Sequence, residues 1–176
     1  MIIDYIPIDF TNIKDCAILA KWFNDPDINY LISPNFYQGP LSYISPEYVS
    51  QTNLYTKYDK YAFFIVCDNI IIGDINIIDN PDFLVKKDRN SCWLGITIGE
   101  KAYQGLGIGK KAMNFIENYS YDLGYKRMEL GVFAFNEKAI AFYKKLGYKQ
   151  IGIIPKFTFH NGSWHDDIRF EKYLSN

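Results

Sequence analysis

Most features that would commit this chain to a specialised environment are scarce. Three cysteines, Cys16, Cys67 and Cys92, are odd in number, far apart and set among apolar residues, so reduced core thiols are expected rather than bridges or a thiolate cluster. The two histidines, His160 and His165, have no matching cysteine or carboxylate spacing, and no metal site is expected. Charge of neither sign dominates: 19 Lys and Arg against 20 Asp and Glu leave a formal net charge of −1. No global field would then hold nucleic acid or an anionic membrane, and neither is expected as a partner. Apolar runs last only a few residues, short of the roughly 20 needed to span a bilayer, and the first residues lack the basic start of a signal peptide. A cytoplasmic protein is expected. Repeats, linkers and low-complexity segments are also missing, which points to a single domain over residues 1–176.

What is present is material for a packed core, with 48% hydrophobic residues and 18% aromatics. Met1 to Phe10 alternates like a strand, and residues 12 to 24 carry Ile13, Cys16, Ala17, Ala20 and Trp22 in a helical rhythm stopped by Asn24-Asp25-Pro26-Asp27. The segment from Pro26 to Tyr43 reads as an aromatic, polar loop. Ser45-Pro46-Glu47 supplies an N-cap and a first-turn proline for a second helix to about Lys57. Residues 60 to 67 and 70 to 78 are apolar and β-branched, and Asp68-Asn69 between them signals a hairpin. Asn80 to Asn90 reads as a loop. Toward the end, Gln150 to Ile154 and the pair flanking Asn161-Gly162 read as strands, with Trp164 to Leu174 the longest.

The stretch from Ser91 to Tyr148 organises the rest. An apolar strand, Cys92 to Ile98, leads to the run Gln104-Gly105-Leu106-Gly107-Ile108-Gly109-Lys110. An amphipathic helix follows, with Ile108, Ala112, Phe115, Ile116 and Tyr119 at helical spacing. A glycine turn before a helix leaves the first backbone N–H groups unpaired and lets a bulky anion come close, which outlines a phosphate site. A Walker loop would need Gly at Gln104 and Ser or Thr at Lys111, and both positions fail. A dinucleotide fingerprint would need its third glycine one residue later and its turn near the start of the unit, whereas about ninety residues precede this one.

The pattern that remains, Q-x-x-G-x-G at Gln104, Gly107 and Gly109, resembles the coenzyme-A loop of the GNAT superfamily of N-acetyltransferases. After a strand-like run, Arg127 to Phe135, the residues Asn136, Ala139, Tyr143, Gly147 and Tyr148 resemble its second signature, N-x-x-A-x-x-x-Y-x-x-x-G-[FY]. The two motifs stand in the right order, about thirty residues apart. Within the superfamily the chain is most similar to the branch of ribosomal-protein alanine and polyamine acetyltransferases. The resemblance implies a mixed α/β (α+β) fold: a mostly antiparallel sheet of six or seven strands, a parallel β-α-β crossover at the CoA site, and flanking helices.

It also implies acetyl-CoA as cosubstrate, contacted by Thr97, Ile98, Gln104, Gly105, Leu106, Gly107, Ile108, Gly109, Lys110, Asn136, Ala139 and Tyr143. Acetyl transfer from a thioester needs a neutral amine, an oxyanion donor and a proton for the thiolate. Tyr143 fits the acid, since a phenol with pKa near 10 is protonated at neutral pH; packing a helix face is the alternative. Asn136 is expected either to bind the pantetheine arm or to cap its helix. Backbone N–H groups around Thr97 and Ile98 would meet the oxyanion. Relatives of the N-terminal-alanine type carry a glutamate five residues before the asparagine, where this chain has Gly131. Glu129 is the substitute, with water-linked Glu100 or Asp74 as alternatives. The first helix and the loop after it would wall the acceptor pocket; His165, Asp166 and Asp167 either line it too or form an exposed turn. A lysine-like amine is under about 0.1% neutral at pH 7 and an α-amine roughly 10%, so without a strong base the leading acceptor is a protein or peptide N-terminal α-amine. A polyamine or aminoglycoside is the enzymatic alternative, a non-catalytic CoA-sensing module the rival, and a homodimer is left open.

Overall fold

A computed structural model describes residues 1–175. Seven strands among the described residues form one sheet in the order β1-β2-β3-β4-β5-β7-β6: β1 (Ile3–Pro7), β2 (Lys60–Cys67), β3 (Ile70–Asp79), β4 (Ser91–Ile98), β5 (Arg127–Phe133), β6 (Lys149–His160) and β7 (Ser163–Tyr173). The helices are α1 (Ile13–Asn24), α2 (Asn29–Ile32), α3 (Pro46–Leu54), α4 (Ile108–Asp122) and α5 (Glu137–Lys145). Every strand pair is antiparallel except β4 with β5, which α4 connects as a parallel crossover.

Local sequence accounts for several boundaries. Ser45 accepts a hydrogen bond from the Tyr48 N–H at 3.1 Å with Pro46 opening α3, and Asn12 caps α1 through the Lys14 N–H at 3.1 Å. Asp68 and Asn69 take positive φ angles of 47° and 68°, as a two-residue hairpin turn with right-handed strand twist requires. Two expectations are corrected. The loop after α1 contains the four-residue α2, and the run from Lys149 to His160 is one 12-residue strand, longer than the 11-residue β7. Its register shifts between Ile154 and Thr158, where Lys156 has a φ of 52°. Pro155 cannot donate to a ladder, so the strand bulges there instead of ending.

Strand alternation divides the sheet into two faces. Ile75, Leu94, Met128, Leu130 and Phe170 share a core cluster with Ala112, Met113 and Ile116 of α4. On the other face, Phe64 and Val66 pack with Cys16, Leu19, Trp22 and Val49 of α1 and α3. The three cysteines are free and buried.

Candidate active site

β4 and β5 pair only through Ser91–Arg127, Cys92–Met128 and Trp93–Glu129. Past that point the strands part, so the remainder of β4 has lost one neighbour and its backbone groups on that side are free for a ligand. A cavity of about 1190 Å³ occupies the split. It is lined by Leu94 to Ile98 on one bank and by Gly131, Val132 and Phe133 on the other, and it reaches the first turn of α4.

The glycine run supplies that turn. Gly107 is the N-cap of α4 with φ 79°, in the left-handed region that only glycine enters cheaply, and no side chain caps the helix. Its orphan N–H groups therefore remain available for an anion. Gln104, Gly105, Gly107, Gly109 and Lys110 line the cavity; Leu106 is exposed outside it, and Ile108 is buried in the core. Gly109 has a different reason to be glycine, since a Cβ there would stand 3.3 Å from the Phe142 ring. Gln104 donates from Nε2 to the Ile98 carbonyl at 2.9 Å, closing the loop onto β4.

Asn136 caps α5, accepting from the Ala139 N–H at 3.2 Å, and both residues line the cavity. The cap uses the side-chain oxygen and leaves the amide N–H groups over. Tyr143 is buried in the cavity wall beside Phe142 and Tyr148, and burial pushes its phenol further up from the ordinary value, so it is fully protonated at neutral pH. Thr97 and Ile98 both line the cavity, yet successive backbone groups of a strand alternate, so they cannot both face the split. The Ile98 carbonyl bonds Gln104 outside the ladder, whereas Thr97 stands opposite Asp74 in the β3–β4 pairing.

The acidic residues fall into different surroundings. Glu129 is fully buried and absent from the cavity lining. It pairs with Arg127, lies 3.6 Å from Arg169 Nη1, and accepts the Val85 N–H at 2.8 Å. Its oxygens are committed to holding the 80–90 loop against the sheet, which leaves none for an acceptor amine. Glu100 also stands outside the cavity, bound by Lys21 at 2.5 Å and the Trp22 indole at 3.1 Å, contacts that lower its pKa. Asp74 lines the cavity; burial pushes its carboxyl up and Lys60 pulls it back. Asp166 binds the Lys156 N–H at 2.9 Å, and His165 packs edge-on to Phe135 at 4.9 Å. Asp167 is buried and lines the cavity. Phe23, Ile28 and Leu31, from α1 and the segment after it, line its far wall.

Sequence reasoning missed several lining residues. Lys138 and Lys145 join Lys110 on the cavity wall; seven residues apart, they share one face of α5, a spacing that was readable. Trp93, Phe83, Phe157 and Arg169 also line it, and no local pattern announces them. Among the described residues no group of three or more His, Cys, Asp or Glu could hold a metal ion, and no helix is long and apolar enough to cross a membrane.

A mixed sheet is thus split at its parallel pair, and an uncapped helix start stands at the mouth of the cavity, where an anionic group could be accepted. Residues 26–148 match the model of the Acetyltransferase (GNAT) family, and the chain belongs to that family. It is 28% identical over 115 residues to the SPbeta prophage-derived N-acetyltransferase YokL of Bacillus subtilis, covering 64% of this chain and only 61% of that relative's length. It is 24% identical over 161 residues to the spermidine N(1)-acetyltransferase of Escherichia coli, covering 89% of this chain and 74% of that protein. A crystal structure of spermidine N-acetyltransferase from Vibrio cholerae, in complex with CoA and spermine, shares the fold with a TM-score of 0.76 at 18% identity, over 98% of this chain and 95% of that one.

Proposed function

We propose that the chain is a single-domain, acetyl-CoA-dependent N-acetyltransferase that acts on a small-molecule amine, with a polyamine as the best-supported acceptor class. The observation that carries the reading is one continuous cavity that joins the anion-accepting start of α4 to the split between β4 and β5 and then to a buried carboxylate, Asp167. The family match supports the chemistry, and a relative that aligns along 89% of this chain is a spermidine acetyltransferase. The expectation of a protein N-terminus rests on Gly131 leaving β5 without a base, an argument that the other strands bordering the cavity do not support.

In this reading the α4 N–H groups and Lys110, Lys138 and Lys145 hold the phosphates. Asn136 and the free edge of β4 bind the amide-rich arm, and Ile98 offers a backbone donor where the oxyanion develops. Tyr143 gives its proton to the departing thiolate. Attack is direct, inside a ternary complex. Glu129 has no part in the chemistry. Free thiols at Cys16, Cys67 and Cys92 suit work in the reducing cytoplasm.

The test is thiol release from acetyl-CoA with spermidine, spermine, an aminoglycoside and an Ala-starting peptide. Release above the rate of hydrolysis is expected with the polyamines. If calorimetry shows CoA bound while no amine accelerates release, the chain is a CoA-sensing module and the reading fails.

A further inference from the structure

Two glycines face each other across the split, Gly95 on β4 and Gly131 on β5, on the sheet face away from α4. Neither space is empty. A Cβ on Gly131 would stand 2.6 Å and 2.8 Å from the two carboxylate oxygens of Asp167, which reaches over β5 from β7. A Cβ on Gly95 would stand 3.0 Å from Nδ2 and 3.3 Å from Oδ1 of Asn76, which reaches over β4 from β3. Each inner strand gives up its side chain, and a polar group from the strand outside it takes the place. The two groups therefore come to opposite banks of one cavity that both of them line.

Both are held in a way that leaves one atom over. Arg169 Nε donates to Asp167 Oδ2 at 2.5 Å, and Oδ1 accepts no hydrogen bond from the described residues. Asn76 Nδ2 donates to Asp74 Oδ2 at 3.2 Å, and its amide oxygen accepts no hydrogen bond from the described residues. A carboxylate oxygen and an amide oxygen without partners are both acceptors, and the group that satisfies two acceptors is an ammonium or an amine. The Arg169 guanidinium lies 4.7 Å from the centre of the Trp93 ring, and this stack holds the Asp167 anchor in place.

We propose that the acceptor's reacting nitrogen is seated between Asp167 Oδ1 and Asn76 Oδ1, with Asp167 as the base that takes its proton. The proposal rests on the acetyltransferase reading above. The acceptor ammonium gives one proton to Asp167, and its freed lone pair forms the C–N bond to the thioester carbonyl carbon. The C–S bond breaks with its electrons on sulfur, which takes the phenolic proton of Tyr143. The nitrogen's second proton restores the phenol, and Asp167 returns its own to solvent, so each turnover releases one proton. Asp167 supplies what an amine with pKa near 10 needs at neutral pH. The charged groups bearing on it are Arg169 on its own strand and Glu129 on β5. Burial pushes the Asp167 carboxyl above the usual range, Arg169 draws it down, and Glu129 raises it. The carboxylate is the active form, so the rate should climb as pH rises through that raised pKa.

The experiment measures kcat/KM for spermidine against pH in the parent, Asp167→Asn and Gly131→Ala, with CoA affinity by calorimetry and thermal unfolding alongside. Asp167→Asn should lower kcat/KM at pH 7 by about 10² or more, within the range for general bases, and abolish the rising carboxylate limb, with CoA affinity unchanged. Gly131→Ala keeps the acid but puts a methyl group against its oxygens, and should lower kcat/KM at least about tenfold. Asn76→Ala should raise the spermidine KM while keeping the limb. Folded Asp167→Asn and Gly131→Ala with the parent's rate and pH profile would overturn the proposal. Should Asp167→Asn fail to fold, the Gly131→Ala result decides, and should that fail too, the Asn76→Ala KM decides. A parent that transfers to no amine would instead sink the acetyltransferase reading, a distinct outcome visible in the same assay.

Discussion

The two faces of the central sheet solve burial by opposite means. Toward α4, the middle strands present Ile75, Ile77, Leu94, Met128, Leu130 and Phe170, all at most 3% exposed, and stability there comes from removing apolar surface from water. Toward the 80–90 loop, the same strands bury Arg127, Glu129, Asp167, Arg169 and Glu171. Arg127 bridges Glu129 and Glu171, Lys86 pairs with Glu171, and the loop is tied down through the carbonyls of Phe83 and Lys86. Burying charge costs more than burying methyls, and such a network is stable only while every member is paired. The apolar face fixes the fold. The polar face builds a site wall in which a carboxylate is held immobile yet left with one oxygen unpaired.

If that contrast is right, changes on the two faces should separate stability from activity. The largest effect is expected for Glu129→Gln, which leaves two buried guanidinium groups short of a partner and should cost roughly 3–5 kcal/mol of unfolding free energy. Urea denaturation would show it, while CoA affinity of the folded fraction should stay near the parent's. A lost kcat with full stability would return Glu129 to the chemistry. Next comes Tyr143→Phe, which keeps the ring packing; kcat should fall by about 10² with little change in the acetyl-CoA KM. Steady-state kinetics with unchanged kcat would make the tyrosine a packing residue. Gly107→Val should weaken CoA binding at least about tenfold, because a β-branched residue fits a φ of 79° poorly and would screen the helix N–H groups. Calorimetric titration of the folded variant checks it. The smallest effect is expected for Lys57→Ala: its partner Asp82 is exposed, and the urea midpoint should not move measurably.

How much of this was legible follows the same division. Apolar periodicity marks β2, β3 and β4 nearly to the residue and α4 from Ile108, and cap chemistry places the start of α3 and offers Asn136 as a cap for α5, because those signals are local. The glycine run and Asn136, Ala139 and Tyr143 were read as a set, and the fold brings most of them onto one cavity wall. Leu106 and Ile108 were swept in by adjacency; a helix start alternates buried and exposed positions too quickly for neighbours to share a role. Polar residues on the other face misled. Of the partners of Glu129 only Arg127 lies on its own strand; Arg169 and Val85, which commit its other oxygen, are about forty residues away in opposite directions, so its full engagement is not readable locally. Asp167 is legible as a pocket-lining alternative to an exposed turn, but its place over Gly131 is not: that depends on β7 pairing with β5, and nothing local encodes the pairing.

The measurement that tests the central claim most directly is a competition for limiting acetyl-CoA between equimolar spermidine and an Ala-starting peptide at neutral pH, with products resolved by mass spectrometry. The peptide's α-amine is far more often neutral in solution, so without help from the protein it should react first. N-acetylspermidine should dominate. Predominant acetylation of the peptide, or acetyl-CoA left unconsumed with both amines present, would contradict that claim.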